Sequence, residues 1–403
     1  MKIDKDFDPA ETLQNIQYFG EFGGVNPSIT DSSTYTFLKA DRMEEVFENE
    51  IEGCYLYSRH WNPTNRYLSD ALAGIEGAEA GQVMASGMGA ITAVILEHCN
   101  AGDEIVASRT IYGGTYAFLK NYLPKFNIHI KFVDITDLSQ IKNAVTSRTK
   151  MVYCEALSNP LLEVADLSGI SKITRKNDIS LVVDNTFTPM VISPFKFGAD
   201  VVIHSLTKFI NGSSDAVAGA VVGKKDFVDS LMDVNKGSAM LLGATLDGLR
   251  AASILKNLRD LHLRMMQHSK NGMYLAQKFE ELGLKVIYPG LTSHPQHKLF
   301  KSVYNPKYGF GGMVLLDAGS KENAYRAMEL MQDKKTGYLA VSLGFYKTLF
   351  SAPGTSTSSE ISEEEQKKMG LGDGLIRMSV GLDMNIEQTF NKMKAAFKEA
   401  GVL

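Results

Sequence analysis

Five short apolar runs, Glu104–Ala107, Ile130–Val133, Met151–Cys154, Leu181–Val183 and Val201–Ile203, read as strands and follow or alternate with segments of helical periodicity such as Leu68–Ile75 and Ile91–Cys99. Strands alternating with helices leave one economical arrangement, a mostly parallel sheet with helices on both faces. At 403 residues, 44% apolar and 22% charged, the chain is long enough to add a second unit. We expect a polar, irregular arm over 1–60 that wraps a partner subunit, a large α/β domain over 61–255 and a smaller α/β domain over 256–403. A long helix around Thr245–Leu282 is expected to lead from one to the other. The smaller domain contributes a strand at Gly312–Leu316 and a helix at Ile386–Glu399. Ser351–Ser359 reads as a loop, and Ser362 with Glu365 forms a capping box for a short helix ending near Gly370, with Glu363–Lys368 as its solvated face.

Two of the strand-like runs end in groups that can do chemistry. Val201–Ile203 leads into His-Ser-Leu-Thr-Lys (204–208), and Leu181–Val183 stops at Asp184. Lys208 alone is no more than a lysine after a strand, with hydroxyls that commonly cap helices. Against apolar walls, however, a lysine loses its proton and attacks a carbonyl as a Schiff-base nucleophile. An acid at a strand end one strand earlier supplies the charge that keeps a cofactor's pyridine nitrogen protonated, and strand ends are where open α/β sheets hold ligands. A third element, Ala-Ser-Gly-Met-Gly-Ala (85–90), precedes the helical stretch Ile91–Cys99; its small residues let a phosphate approach the helix N-terminus. The Ser205 and Thr207 hydroxyls suit the same phosphate.

Lys and Arg number 42 against 46 acids, a net charge of −4, so no basic field favours nucleic acid, and small metabolites are the expected partners. The absence of a membrane-length apolar run and of a signal-peptide core near Met1–Asp8 predicts a cytoplasmic location and no membrane partner. Cys54, Cys99 and Cys154 lack disulfide or metal-ligand spacing. We expect reduced thiols in packing roles, and no metal.

With these elements in place, the chain resembles the Cys/Met metabolism family of pyridoxal-phosphate (PLP) enzymes, the cystathionine and methionine lyase group. The likeness spans nearly the whole chain. It rests on Tyr-Ser-Arg-His-Trp-Asn-Pro-Thr (57–64), Ser-Gly-Met-Gly-Ala (86–90), Tyr-Gly-Gly-Thr-Tyr (112–116), Ser-Asn-Pro (158–160), Asp-Asn-Thr (184–186), Ser-Leu-Thr-Lys (205–208), Ser-Leu-Gly (342–344) and Ile-Arg-Met-Ser-Val-Gly (376–381). The resemblance implies the aspartate-aminotransferase-like PLP fold type I, with 61–255 as the PLP-binding domain, and a homotetramer built from dimers with shared active sites.

It also implies roles. Lys208 holds the cofactor as a Schiff base and shuttles protons; Asp184 pairs with the pyridine nitrogen, with Thr186 and Asn159 beside the aspartate and the ring hydroxyl. Tyr112 stacks on the ring and protonates the leaving sulfur. The phosphate is held by Ser86, Gly87, Met88, Ser205 and Thr207, and by Tyr57 and Arg59 of a neighbouring subunit. Arg377 grips the substrate carboxylate, assisted by the Ser342 backbone and Asn159.

Departures bear on specificity. Phe209 replaces the usual tyrosine, and Gly212-Ser213-Ser214-Asp215 the usual Gly-His-Ser-Asp. Lys347 replaces an acid within Gly344–Leu349, and Ala352–Ser358 replaces a His-Pro-Ala-Ser-Met-Thr-His stretch. Where enzymes that grip cystathionine's distal ammonium tend to place acids, this chain has Leu56 and Val341. An apolar lining favours a methylthio tail over a buried unpaired ammonium, so methionine γ-lyase-like elimination to thiol, 2-oxobutyrate and ammonia is expected. Gly114, where many methionine γ-lyases have cysteine, keeps cystathionine β- or γ-lyase activity open, as well as γ-replacement of the cystathionine γ-synthase or O-acetylhomoserine sulfhydrylase kind. A PLP-binding regulator without turnover would require a damaged lysine, aspartate or arginine; all three are intact.

Overall fold

The structure, a computed structural model, describes residues 3, 6–48, 53–356 and 361–403. The expected loop residues Thr357, Ser358 and Ser359 lie outside the described residues. Two sheets organise the chain. The larger comprises β1 (Ala80–Met84), β2 (Glu104–Ser108), β3 (His129–Val133), β4 (Thr149–Glu155), β5 (Ser180–Asp184), β6 (Val201–Ser205) and β7 (Gly219–Gly223), in the order β1-β7-β6-β5-β4-β2-β3. Only β7 runs antiparallel to its neighbours. All five expected strands are present, embedded between two apolar layers of buried side chains. Their β-branched, doubly buried runs suit a sheet covered on both faces.

The smaller sheet comprises β8 (Lys285–Ile287), β9 (Met313–Asp317), β10 (Gly337–Leu339), β11 (Thr348–Ser351) and β12 (Leu375–Ser379), ordered β10-β11-β12-β9-β8. Helices Leu261–Glu281, Lys321–Asp333 and Ile386–Glu399 contribute to its apolar core around Phe279, Met328 and Phe397. The last of these has the expected bounds. The serine half of the capping box is formed: Ser362 Oγ accepts from the Glu365 amide and caps Glu363–Met369, while Glu365 Oε2 accepts from the Ser362 hydroxyl at 2.9 Å and not from its amide, and Gly370, at φ 82°, ends that helix.

The single long helix expected over Thr245–Leu282 is two. Gly248–Leu258 is capped by Asp247, and a break at Arg259 and Asp260 precedes Leu261–Glu281. Apolar periodicity runs through the break, which is why it reads as continuous. Arg264 braces the joint by donating to Asp260 Oδ1 at 2.7 Å and to the Asn257 carbonyl at 2.7 Å. Cys99 and Cys154 are buried as expected, but Cys54 is exposed and has no packing role. Among the described residues, no helix is long and apolar enough to cross a membrane.

Candidate active site

A cavity of about 310 Å³ opens where the parallel strands end. Glu155 closes β4, Asp184 closes β5 and Ser205 closes β6, so consecutive strands deliver consecutive polar groups to one rim. Ser86, after β1, caps helix Gly87–His98 by accepting from the Gly89 amide at 2.9 Å. The first-turn amides of that helix, including those of Gly87 and Met88, have no partner within it. Crowding explains two of the glycines. A Cβ on Gly219 would lie 2.2 Å from the Ser86 carbonyl, and one on Gly87 would lie 2.9 Å from Ser205 Cβ.

Asp184 is buried; Oδ1 accepts from the Thr186 amide at 2.9 Å, and Tyr153 OH lies 3.5 Å from Oδ2. Burial pushes its carboxyl up, while the bonds from Thr186, nearby His204 and the Tyr153 hydroxyl oppose that shift. A cation beside it would favour the carboxylate form. The Thr186 hydroxyl accepts from the Ser205 amide at 2.8 Å and so joins the ends of β5 and β6. Thr207 Oγ1 exchanges bonds with the Ala218 amide and carbonyl.

Lys208 donates from Nζ to Ser342 Oγ at 2.9 Å. Burial, and then the charge of Arg377, lower its pKa to about 8. Far more neutral amine is therefore present near neutral pH than an ordinary lysine holds, as a carbonyl nucleophile needs. Arg264 steadies the turn after Lys208, donating to the Ile210 carbonyl at 2.9 Å and also to that of Phe209. Phe209 is buried edge-to-face against His268, ring centroids 5.1 Å apart.

From the small sheet, β12 brings in Arg377. Its Nη1 donates to Asn159 Oδ1 at 2.9 Å and its Nη2 to the Ser342 carbonyl at 3.4 Å. Ser342 adopts φ 92°, unusual for a residue with a side chain, and meets Lys208 with its hydroxyl and Arg377 with its carbonyl. Both of these Arg377 acceptors are neutral. Burial lowers Arg377 to about 10, while Glu155 and Tyr112 oppose that shift. Among the described residues no carboxylate makes a direct ion pair with this guanidinium, and Glu155 acts on it only at longer range, which leaves it ready for an incoming carboxylate.

Tyr112 lines the same cavity, just ahead of helix Gly113–Ala117. A Cβ on Gly114 would lie 2.6 Å from Tyr112 Cε1, so the ring rests in the space that glycine leaves. Sequence reasoning missed Glu155, which accepts from the Tyr112 amide at 2.8 Å and the Asn159 amide at 2.6 Å. The signal was available: β4 ends in an acid one rung from Asp184. Apolar Ile91, Leu157, Phe187, Val217 and Leu343 were also missed as lining.

Four expected site residues lie elsewhere in the single chain. Tyr57 and Arg59 are exposed and stack on each other, 5.8 Å from guanidinium carbon to ring centroid, and neither they nor Leu56 line the cavity. Val341 is 60% exposed and lines a neighbouring hollow that shares Thr207, Val217 and Ser342. Lys347 sits 5.3 Å from the Tyr338 ring centroid and does not line the cavity.

A lysine of lowered basicity, a carboxylate at a strand end and a helix N-terminus with room for an anion together match the three ends of PLP. Residues 12–398 match the model of the Cys/Met metabolism PLP-dependent enzymes. The chain belongs to that family. Like other Cys/Met metabolism enzymes, it uses PLP as its cofactor. It is 45% identical over 399 residues to a methionine gamma-lyase of Arabidopsis thaliana, covering 97% of this chain and 90% of that one. An L-methionine gamma-lyase of Fusobacterium nucleatum subsp. polymorphum is 37% identical over 383 residues, covering 94% and 93%. Among solved members, a putative O-acetylhomoserine (thiol)-lyase of Campylobacter jejuni superposes with a TM-score of 0.90 at 30% identity, covering 97% of this chain and all of that one, and carries a pyridoxyl-lysine phosphate. The fold is accordingly that of the family, PLP fold type I.

Proposed function

We propose that this family member is a carbon–sulfur lyase acting on methionine: methionine and water yield methanethiol, 2-oxobutyrate and ammonia. The observation that carries the reading is one cavity in which Lys208, Asp184, Tyr112 and Arg377 converge between apolar walls. Its support from relatives is the likeness to methionine gamma-lyases of a plant and a bacterium.

Bound PLP supplies an aldehyde for Schiff-base exchange and a protonated pyridine ring that draws electrons from the substrate's Cα. The residues here do the rest. Asp184 would pair with the pyridine nitrogen, and the start of helix Gly87–His98, with Ser86, Ser205 and Thr207, would receive the phosphate. Arg377 binds the substrate carboxylate, with Asn159 and Ser342 fixing the guanidinium plane. Lys208 removes the Cα proton and then works at Cβ, and the Tyr112 hydroxyl protonates the departing sulfur. The apolar walls exclude water and suit a methylthio group better than a charged tail.

The same reading includes a homotetramer of dimers in the cytoplasm. Tyr57 and Arg59 are exposed in the single chain and would reach a neighbour's phosphate from the 1–60 arm, while the large domain over 61–255 and the small domain over 256–403 build the rest. Exposed Phe19, Phe22 and Leu38 on that arm fit burial against another copy. Mixing Lys208→Ala with Arg59→Ala subunits tests the sharing: restored activity is expected, and two variants that stay inactive together sink it.

A second reading, replacement on an O-acylated homoserine, draws support from Gly114 and from the likeness to the Campylobacter thiol-lyase. A product screen with methionine, cystathionine and O-acetylhomoserine, with and without added thiol, decides. Faster 2-oxobutyrate release from methionine than from cystathionine is expected. Dominant thioether formation from O-acetylhomoserine supports replacement instead, and pyruvate as the main product overturns the γ-elimination.

A further inference from the structure

Glu155 is buried, lines the cavity and has no part in the steps above. Its two carboxylate oxygens serve two different loops. Oε1 accepts from the Tyr112 amide at 2.8 Å, and Oε2 from the Asn159 amide at 2.6 Å. The Asn159 side chain in turn accepts from Arg377 at 2.9 Å. One carboxylate thus spans the residue that faces the leaving group and the residue that orients the guanidinium. Because Glu155 closes β4, its own position is fixed by the sheet.

We propose that Glu155 is a positioning residue whose carboxylate sets Tyr112 and, through Asn159, Arg377 in register for the substrate. The inference rests on the reading of Arg377 as the carboxylate grip. A carboxyl group of this length serves both amides because it offers two acceptor oxygens, one to each backbone N–H. A glutamine offers one acceptor and turns its NH₂ toward the other backbone N–H, setting two donors head to head. Burial of Glu155 and Asn159 makes that mismatch costly. Glu155 also faces Arg377 electrostatically and sits beside Asp184; burial and the charge of Asp184 push its carboxyl well up, with the two amides and Arg377 opposing.

The test compares holoenzymes of the wild type, Glu155→Gln and Glu155→Asp. Binding of 4-(methylthio)butanoate, which is methionine without its amino group and so cannot react, is measured by calorimetry, and methionine kinetics separately. Glu155→Gln is expected to weaken acid binding at least about 10-fold and raise KM in parallel, with the PLP absorption band and thermal midpoint retained. Glu155→Asp keeps two acceptors on a shorter arm and is expected to fall between. Glu155→Gln binding the acid within about 2-fold of wild type overturns the inference. So does loss of cofactor and folding in both variants, which makes the carboxylate a support of the fold alone. Failure of the wild type to bind the acid overturns the reading of Arg377 itself, and a wild type that binds it without turning over methionine overturns the proposed reaction.

Discussion

Lys208 and Ser342 meet at 2.9 Å across the junction of the two sheets, Nζ donating to Oγ. The lysine follows β6 of the large sheet, and the serine lies between β10 and β11 of the small one. In the proposed reaction the same bond would stabilise the ammonium that Lys208 becomes once it has taken the Cα proton. Ser342→Ala is expected to lower kcat for methionine about 10-fold, the scale of one hydrogen bond from a charged donor at roughly 1.5 kcal/mol. Steady-state kinetics at full PLP occupancy check this; an unchanged kcat removes the serine from the lysine's cycle.

The lowered basicity of Lys208 makes a pH prediction for the cofactor-free protein. Its pKa falls from an ordinary 10.5 to about 8. Between those values the unfolded chain holds a proton that the folded chain has released. Stability therefore rises with pH across the window, relative to Lys208→Met. The rate of PLP capture should rise with a midpoint near pH 8, followed by absorbance. A rate still climbing with a midpoint near 10.5 contradicts the lowered basicity.

Arg377→Lys keeps the charge but loses the planar pair of donors. About a 100-fold loss in kcat/KM for methionine is expected, carried mainly by KM, with the cofactor band unchanged. The figure corresponds to roughly 3 kcal/mol for a two-pronged, charge-assisted contact. A KM within about 2-fold of wild type assigns the carboxylate to another residue.

Away from the site, Glu104 opens β2 as a buried carboxylate bonded to Lys131 and Thr146, each at 2.7 Å, and to Arg148. The Lys131 and Thr146 bonds, with Arg148, overcome burial and hold its pKa at about 2 instead of 4.5. Its contribution is present above pH 4.5 and lost as the pH falls toward 2. Glu104→Gln should cost about 2 kcal/mol at neutral pH, measured by denaturant titration, and progressively less in acid. A penalty that stays constant down to the acid limit contradicts the ion-pair account.

What could be read in advance follows from how information is stored along the chain. Asp184 and Lys208 stand at or just past the ends of β-branched apolar runs, so local pattern marks them as a pair that neither residue would announce alone. β1, Ala-Gly-Gln-Val-Met, escaped because Gly81 and Gln82 interrupt it, and β7, Gly-Ala-Val-Val-Gly, because glycines at both ends leave a short apolar run; Gly219 is small to let the Ser86 backbone pass. Glu155 and Arg264 act on residues brought close only by folding, Arg264 on a turn 54 positions away. The break at Arg259 was hidden for the opposite reason: packing continues through it even though the backbone does not.

The division of the cavity between two sheets has a genetic consequence. Asp184, Ser205 and Lys208 come from the large sheet and its following turn, Arg377 and Ser342 from the small sheet and its loop. Lesions that shift the small sheet should leave a yellow protein, still charged with cofactor, that is blind to amino acids. Lesions at the ends of β5 and β6 should leave a colourless one. Colour and blindness then become separable phenotypes, and a random mutant library sorted by eye would map which part of the chain each defect occupies.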